Sequence, residues 1–372
     1  AKCILKFNDK TVIQTDIAVK GMKIISTSSS ENGGKTLKDA AVFDIGGNAV
    51  SIAAGYLYGK DEGLAVAVTN GSSVTVYKYI GGILSETETI GGFKQVVNVE
   101  IADINDNGID ELFISCLNKE KKSDSSVFEF NGEKIRAVQT NIPYLFRSYY
   151  INGKKEVAGQ GYNDGAIFGM IYRVSFSKES REYQISYSYT ESYGAGLFGF
   201  AYGKIGGKSS DETIFFNNKG VLCSAFNGEI HKLKDNYFSR SPNYIIYTEK
   251  LSTGVTVGNT GNSGGYFVYD QKNVALPVYQ RIIESGKGKL LFYSNIPAKK
   301  RATGTEKYYK SSIGEYVLIG SRIIPVWEED TDTGAAFDTD ITPDGKYIVL
   351  LLSKGFGGLK IGGMRVKIFT AY

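Results

Sequence analysis

The segment Asp103–Ile114 places oxygen-bearing side chains at alternate positions and then turns sharply. Asp103, Asn105 and Asn107 supply these oxygens, a glycine follows, and an apolar strand begins directly afterwards. Alternate Asp and Asn oxygens around a tight turn can converge on one hard cation such as Ca²⁺. The same layout can instead close a loop through hydrogen bonds between side chains and backbone N–H groups. The residues alone leave both interpretations open.

The histidine and cysteine content limits the other kinds of site. His231 is the only histidine, which excludes a histidine-based metal cluster, and we interpret it as an incidental surface residue. Cys3, Cys116 and Cys223 have no metal-ligand spacing and form no haem-attachment motif. Because Cys116 and Cys223 lie in expected strands, we predict buried free thiols there. We expect no haem.

Two glycine-rich segments do not support nucleotide binding. Gly33–Thr36 looks like the end of a phosphate-binding loop, but that loop needs a glycine where Ser29 stands and a helix afterwards. Gly258–Gly265 has no strand–helix–strand pattern around it. Both segments are predicted to be loops, and we expect no nucleotide cofactor.

The sequence has no clear catalytic signature. No serine lies in a nucleophile-elbow pattern. Glu328, Glu329 and Asp330 are candidates for glycosidase chemistry, which needs two carboxyl groups at a set separation across a cleft. Their adjacency favours a solvated acidic loop instead, and Trp327 beside them is expected to pack between neighbouring sheets rather than bind sugar. The sequence therefore predicts a protein that is not an enzyme.

The composition indicates a globular protein built from strands. Among 372 residues, 45 Gly, 26 Tyr and 20 Phe favour strands joined by tight turns. No apolar run approaches the roughly 18 residues of a membrane span, so we expect no membrane-spanning segment. The formal net charge is only +4, and short basic runs at 119–122 and 299–301 are expected to be solvated loops. We therefore expect no nucleic-acid partner.

Three hairpins repeat along the chain at a period of about fifty residues, within the range of β-propeller blades. Their turn glycines are Gly82, Gly132 and Gly228, separated by 50 and 96 residues, which is close to one and two periods. Asn-Gly between alternating apolar residues is a strong hairpin signal, because both turn residues tolerate a positive φ. The hairpins therefore mark a structural repeat.

A version of the Asp103 motif precedes each hairpin. Degraded copies occupy residues 55–68 and 202–216, and two more lie at 281–292 and 337–349. Each unit reads as strand, polar turn, strand, hairpin and strand, which predicts a four-stranded antiparallel sheet. We count seven units, starting near residues 49, 95, 144, 195, 242, 281 and 334. The third and fifth units lack a clear turn motif.

These units predict an all-β fold, a seven-bladed β-propeller of four-stranded antiparallel blades. The last unit stops after Met364–Tyr372 and lacks its fourth strand. Cys3–Phe7 or Thr15–Val19 could supply that strand, which would close the ring and remove an exposed edge. We therefore assign residues 1–38 to the N-terminal closing strand with its flexible connection, and residues 39–372 to the propeller.

The turn at Asp103 and its repeats resemble the FG-GAP or VCBS repeat of integrin α-chain propellers and many secreted bacterial proteins. The resemblance covers about residues 40–372, and only the second unit carries a near-complete motif. It implies a seven-bladed propeller, export from the cytoplasm, and a binding or structural role. In that motif the first, third, fifth and ninth side chains and the seventh carbonyl bind Ca²⁺; these positions map to Asp103, Asn105, Asn107, Glu111 and Ile109.

This ligand set would be weakly charged, because it has two carboxylates and two amides. A calcium site and a metal-free turn therefore remain alternatives at Asp103. In the copy at 340–348, Asp340, Thr342 and Asp344 match the motif, but Ile348 stands at the ninth position. We expect that copy to hold no metal. The degraded copies are interpreted as turns kept for their geometry.

The expected function is a non-enzymatic, exported binding or assembly module, extracellular or in the cell envelope. Its concrete form is self-association into an extracellular filament or surface layer, with copies of itself as partners, because many Tyr and Phe favour interfaces. The start at Ala1 fits removal of a signal peptide, although a shortened chain would look the same. The alternative is a Ca²⁺-assisted adhesin or carbohydrate-binding propeller. A propeller hydrolase or lyase is the third hypothesis.

Overall fold

Twenty-seven β-strands and two single-turn 3₁₀ helices make up the described part of this computed structural model. The structure describes residues 24–28, 38–151, 153–163, 166–188, 195–208, 210–217, 221–233, 244–252, 269–277, 279–297, 308–354 and 363–371. Six sheets of at least four antiparallel strands surround a common axis, and one further sheet has two strands. The protein is a β-propeller with six blades.

Blades 1 to 3 follow one another along the chain. Blade 1 comprises β3 (Ser51–Gly55), β4 (Leu64–Thr69), β5 (Val74–Ile80) and β6 (Ile83–Ile90). Blade 2 comprises β7 (Gln95–Ala102), β8 (Glu111–Leu117), β9 (Ser125–Phe130) and β10 (Ile135–Ile142). Blade 3 comprises β11 (Leu145–Ile151), β12 (Lys154–Asn163), β13 (Ala166–Ser177) and β14 (Glu182–Ser188). In each blade the strands pair in chain order, and the first strand lies nearest the axis.

Blades 4 to 6 complete the ring. Blade 4 comprises β15 (Phe200–Gly203), β16 (Glu212–Phe216), β17 (Leu222–Phe226) and β18 (Glu229–Lys232). The two-stranded sheet comprises β19 (Tyr244–Ser252) and β20 (Tyr269–Pro277). Blade 5 comprises β21 (Ile283–Gly286), β22 (Lys289–Pro297), β23 (Tyr308–Ile319) and β24 (Arg322–Thr333). Blade 6 comprises β25 (Ala336–Ile341), β26 (Tyr347–Ser353), β27 (Met364–Thr370), β2 (Lys38–Asp44) and β1 (Ile24–Ser28). The 3₁₀ helices are η1 (Lys60–Glu62) and η2 (Ile205–Gly207).

Burial decreases from the axis to the rim of each blade, and the sequence pattern follows it. Every residue of β4, β8 and β25 is buried, because these strands have a neighbouring blade on both faces. Such strands need continuous apolar or internally paired residues. The outer strands β6 and β10 alternate and are mostly exposed. This gradient explains why the sequences of the inner strands are continuously apolar, whereas those of the outer strands are rich in polar residues.

The number of blades corrects the sequence prediction of seven. Six of the expected unit starts match a first strand, but the unit expected near 242 yields only the hairpin β19–β20 in the described residues. Blade 4 packs directly on blade 5: Ile214 and Phe216 share one apolar cluster with Leu290 and Phe292. This contact leaves no room for a sheet between them. Each of the six blade-to-blade contacts has its own apolar cluster.

An N-terminal strand closes the ring. Residues of β2 pair antiparallel with β27, as in Val42 opposite Lys367, so the last sheet combines both ends of the described chain. Phe43 is buried in the cluster between blades 6 and 1, with its ring centroid 5.9 Å from that of Tyr79. The sequence proposals Cys3–Phe7 and Thr15–Val19 lie outside the described residues. The strand that pairs with β27 is Lys38–Asp44.

The five turn motifs all occupy the same structural position. Each one joins the first strand of its blade to the second, as expected from the sequence: β3 to β4, β7 to β8, β15 to β16, β21 to β22 and β25 to β26. Because strands alternate in direction, the hairpin between the third and fourth strands lies at the same end of each blade. We call this end of the propeller the turn face. The hairpin glycines Gly82, Gly132 and Gly228 have φ values of 86°, 95° and 81°, which is the left-handed region that favours glycine.

Candidate functional site

The turns contact one another around the turn face. The Tyr56 hydroxyl of blade 1 donates to Asp344 of blade 6 at 2.9 Å, and the Tyr56 backbone N–H donates to Asp110 of blade 2 at 2.6 Å. Lys154 of blade 3 forms an ion pair with Asp106 of blade 2 at 2.6 Å. The motif residues therefore link neighbouring blades as well as closing their own loops.

The Asp103 loop is closed by its own side chains. Asp103 accepts from the backbone N–H groups of Asn107 and Gly108 at 3.2 and 2.9 Å. Asn105 Oδ1 accepts from the Asn107 N–H at 3.0 Å, and Asn107 Oδ1 accepts from the Ile109 N–H at 2.8 Å. These are the Asx hydrogen bonds of a metal-free turn. The same bonds point the oxygens into the loop, where a cation would be held.

Glu111 is the least satisfied member of the loop. Its side chain is fully buried, and Oε2 accepts from the Ile104 N–H at 2.8 Å. Oε1 makes no hydrogen bond of standard geometry, although the Tyr183 hydroxyl lies close enough to act on the carboxylate. Burial raises the pKa of Glu111 to about 8, and the Ile104 N–H and the Tyr183 hydroxyl offset only part of that rise. A cation at this turn would offset the remaining cost of burying the carboxylate, so the residues fit a metal ion.

The side-chain amides of Asn105 and Asn107 point toward Glu129, a carboxylate outside the loop on β9. Asn105 Nδ2 lies 3.4 Å from Glu129 Oε1 and 3.2 Å from the Tyr183 hydroxyl, and Asn107 Nδ2 also donates to Glu129. Within the described residues, no three His, Cys, Asp or Glu side chains are arranged to hold a metal. Among the five mapped ligand positions, only Asp103 and Glu111 carry carboxylates; of the other acids in the loop, Asp106 pairs with Lys154 and Asp110 accepts from the Tyr56 N–H. The five mapped residues lie on one turn, and calcium binding there stays a prediction.

In the motif copy of blade 6, the first acidic residue is paired with a lysine of another blade. Asp340 is fully buried and accepts from the Ala54 N–H at 2.9 Å and from the Lys155 ammonium at 2.6 Å. Thr342 donates to Asp344 at 2.8 Å and closes the turn. Asp340, which stands at the first ligand position of this copy, is thus ion-paired with the Lys155 ammonium.

A buried ionic cluster fills the axis, and sequence patterns gave no sign of it. Arg147 and Arg281 contact both Glu100 and Asp338, and all four side chains are at most 4% exposed. The Arg147–Glu100 and Arg147–Asp338 contacts measure 3.4 and 3.3 Å, and Arg281 lies 3.4 Å from Asp338. With Lys155 and Asp340, three cations face three acids. We call these six residues the axial cluster.

The axial cluster connects the blades. Its members come from blades 2, 3 and 6 and from the residues leading into β21 of blade 5. Blade 1 contributes the Ser51 hydroxyl, which donates to Asp338 at 2.7 Å, and Arg147 lies 5.7 Å from the Phe198 ring centroid beside blade 4. Burial opposes ionisation of Asp338, but Arg281 and Arg147 outweigh it, so the pKa of Asp338 lies below its ordinary value. The cluster is therefore a structural tie between blades and not an accessible catalytic group.

The remaining sequence candidates lie at scattered places. His231 is exposed on β18, with Nε2 3.4 Å from Glu229. Cys116 and Cys223 are buried free thiols, as predicted, and burial raises the pKa of both. Cys3, the Gly33–Thr36 segment and the Gly258–Gly265 segment lie outside the described residues. No catalytic arrangement brings these residues together among those the structure describes.

The acidic run beside Trp327 is a strand and not a loop, which corrects the sequence interpretation. Glu328, Glu329 and Asp330 belong to β24, where they pair with residues of β23. The sequence missed this strand because its outer position allows a polar, charged pattern. Trp327 packs against the apolar cluster between blades 5 and 6, as expected. It also lines a cavity of about 360 Å³ on the turn face.

In the part of the chain that the structure describes, no helix is long and apolar enough to cross a membrane. No protein-family model matches the chain, and no curated protein is significantly similar to it in sequence. The propeller fold therefore rests on the structure alone. The FG-GAP or VCBS identity of the repeats stays a prediction.

Proposed function

We propose that this protein is a non-enzymatic, exported β-propeller that acts as a binding and assembly module, with copies of itself as its partners. The observation that carries the proposal is the exposure of large apolar side chains at hairpin tips of the turn face. Ile80 and Ile83 of blade 1 and Ile319 of blade 5 are 55%, 57% and 62% exposed. Clustered exposed apolar side chains are typical of protein interaction surfaces.

An open chain of copies would use these tips as one of its two contact surfaces. Ile80 and Ile83 lie at one hairpin of blade 1, and Ile319 lies at the corresponding hairpin of blade 5 on the same face. An open filament needs a head-to-tail contact between two different surfaces of neighbouring copies. A rigid propeller held by the axial cluster supplies such surfaces without rearrangement. Export to the envelope or exterior is proposed from the FG-GAP or VCBS resemblance.

The test is assembly as a function of concentration. Sedimentation velocity and negative-stain electron microscopy of the full chain should give larger species as concentration rises. The double variant Ile83→Asp with Ile319→Asp should remain monomeric. Val138→Asp is the matched control, because Val138 is 48% exposed on the outer strand of blade 2, away from the hairpin tips. A wild-type protein that stays monomeric at every concentration would refute self-assembly.

The second candidate function is a Ca²⁺-assisted adhesin, and Glu111 favours it. The Glu111 carboxylate is buried on the same turn as the oxygens of Asp103, Asn105 and Asn107, and its Oε1 makes no hydrogen bond of standard geometry. These side chains and the Ile109 carbonyl would hold Ca²⁺, which would cross-link the loop and stiffen the turn face. Asn or Gln in place of a carboxylate lowers affinity for the ion, so binding would be weak.

Calorimetry with Ca²⁺ tests this alternative directly. A binding heat and a higher melting temperature with Ca²⁺ than with a chelator are expected, and Glu111→Gln should remove both. Glu133→Gln on the exposed hairpin of the same blade is the control. Absence of heat and of any melting shift in the wild type would leave the turn metal-free.

A propeller hydrolase or lyase is the least supported function. It requires two accessible carboxyl groups, one of them with a raised pKa to donate a proton. The acids of the axial cluster are buried against Arg and Lys. On the turn face, burial opposes ionisation of Asp344, but hydrogen bonds from Thr342 and the Lys346 N–H outweigh it and lower its pKa. Asp344 is thus a poor proton donor.

A further inference from the structure

The cavity between blades 5 and 6 combines one aromatic wall with several polar groups. It has a volume of about 360 Å³, which lies in the range of small-molecule sites. Leu291, Ile341 and Trp327 contribute apolar groups to its lining. Ser285, Glu315 and Asp344 bring a hydroxyl and two carboxylates to the same space.

The polar groups of the cavity are held in place by neighbours. Glu315 accepts from the Ser285 hydroxyl at 2.7 Å and from the Lys289 ammonium at 2.9 Å, and its side chain is 4% exposed. Asp344 accepts from the hydroxyls of Tyr56 and Thr342. A preorganised carboxylate binds a hydroxyl group without first losing side-chain freedom. The cavity therefore has fixed acceptors.

Trp327 offers its ring to an occupant, and not its N–H. The Nε1 atom is buried, so the part of the side chain that lines the cavity is the apolar ring. An occupant would therefore need an apolar face for the indole ring and donors for the two carboxylates. Carbohydrate hydroxyls act as both donors and acceptors, and the C–H face of a pyranose is apolar.

We propose that this cavity binds a carbohydrate, with one pyranose ring against Trp327 and its hydroxyls on Glu315, Asp344 and Ser285. The proposal rests on the proposed binding role and names a ligand class and site for it. The site faces the same side as the apolar hairpin tips, so a glycan-bearing surface would meet the turn face. Sequence interpretation assigned Trp327 to packing alone; the cavity adds a second role.

The single tryptophan of the chain makes the test specific. Tryptophan emission of the full-length protein is titrated with glucose, galactose, mannose, N-acetylglucosamine and glucuronate, and calorimetry is run in parallel. At least one sugar should give a saturable emission change with a matching binding heat. If no sugar produces either signal, the proposal is wrong.

Variants locate the binding. Glu315→Gln should weaken binding about tenfold, the loss expected for one good hydrogen bond. Trp327→Phe, followed by calorimetry, should also weaken binding, because the smaller ring offers the pyranose less apolar area. Ser285→Ala is the second polar variant, in case Glu315→Gln lowers the melting temperature by freeing Lys289. Glu328→Gln on the same strand as Trp327 is the matched control, because Glu328 is exposed and does not line the cavity. Binding that Trp327→Phe, Glu315→Gln and Ser285→Ala all leave unchanged would overturn the site.

The outcome can be separated from that of the assembly proposal. Sedimentation of the same variants reports self-association, which depends on Ile83 and Ile319 and not on the cavity. Sugar binding by a protein that stays monomeric would support the cavity and refute assembly. Assembly without sugar binding would support self-association and refute the carbohydrate site.

Discussion

The Lys155 ammonium donates to the Asp340 carboxylate at 2.6 Å, and neither side chain is more than 1% exposed. The same ammonium donates to the carbonyls of Ala54 and Ile341 at 3.0 and 3.2 Å. Lys155 lies in blade 3, Ala54 in blade 1 and Asp340 in blade 6, so one cation joins three blades. Asp340 is also the first residue of a degraded turn motif. In blade 6 the Asp340 carboxylate therefore stabilises the contact between blades.

Removing the ammonium should destabilise the whole ring. Lys155→Met removes the nearer of the two cations at the buried Asp340 and leaves only the Arg281 guanidinium, 3.6 Å away. Because a fully uncompensated buried charge costs about 3–5 kcal/mol, the loss should approach but not exceed that range. Urea unfolding at neutral pH measures the loss. The double variant Lys155→Met with Asp340→Asn should recover part of it, because the amide oxygen can still accept from the Ala54 N–H. An additive double variant would show that the two side chains are not coupled.

Acid should weaken the axial cluster through Asp338. Its folded pKa lies below the ordinary value of 3.8, so the folded chain binds this proton less tightly than the unfolded chain. The stabilisation is therefore complete above about pH 3.8 and is lost as the pH falls through the folded pKa. Urea unfolding from about pH 6 to pH 2 should give a shallower pH slope for Asp338→Asn than for wild type. Asp61→Asn, at an exposed position in η1, should leave the slope unchanged.

The six-bladed ring predicts that the β19–β20 hairpin is dispensable for folding. Replacing residues 244–277 with a Gly-Ser linker should leave one cooperative thermal transition close to that of the full chain. Deleting Leu222–Lys232, which removes β17 and β18 from blade 4, should abolish cooperative unfolding because it exposes the apolar cluster shared with blade 5. Loss of the fold in the first variant would mean that the hairpin belongs to the ring.

The contact between blades 4 and 5 can be probed at a single glycine. Gly206 has a φ of 66°, its N–H donates to the Gly288 carbonyl at 3.1 Å, and a Cβ there would lie 2.7 Å from the Leu318 carbonyl oxygen. Gly320 has a similar φ of 62° with nothing within 4 Å. Both Ala variants carry backbone strain, but only Gly206→Ala also pushes the blades apart. Gly206→Ala should lose about 1–3 kcal/mol more in urea unfolding. Equal losses would argue against close contact of the two blades.

Local patterns in the sequence were sufficient for most of the inner strands and for the turns, but not for the charged outer strand β24. Asn-Gly and Gly-Gly pairs at a fifty-residue spacing marked hairpins whose glycines do adopt positive φ, and the five polar motifs all became first turns. The Asp103 loop was also readable, because its ligand-like oxygens lie within nine residues of one another. These features depend on short-range backbone geometry, which nearby residues determine.

What only the tertiary structure decided is non-local. The unit expected near 242 had strand-forming residues, but the packing of Phe216 and Ile214 against Phe292 and Leu290 gave it no place in the ring. The axial cluster joins residues as far apart as Arg147 and Asp338, separated by 191 positions, so no spacing rule could reveal it. The cavity at Trp327 likewise exists only where two blades meet. The sequence by itself determined the repeating unit; the number of blades, the paired charges on the axis and the cavity depended on how the units pack, because burial and ion pairing act between residues that only the folded ring brings together.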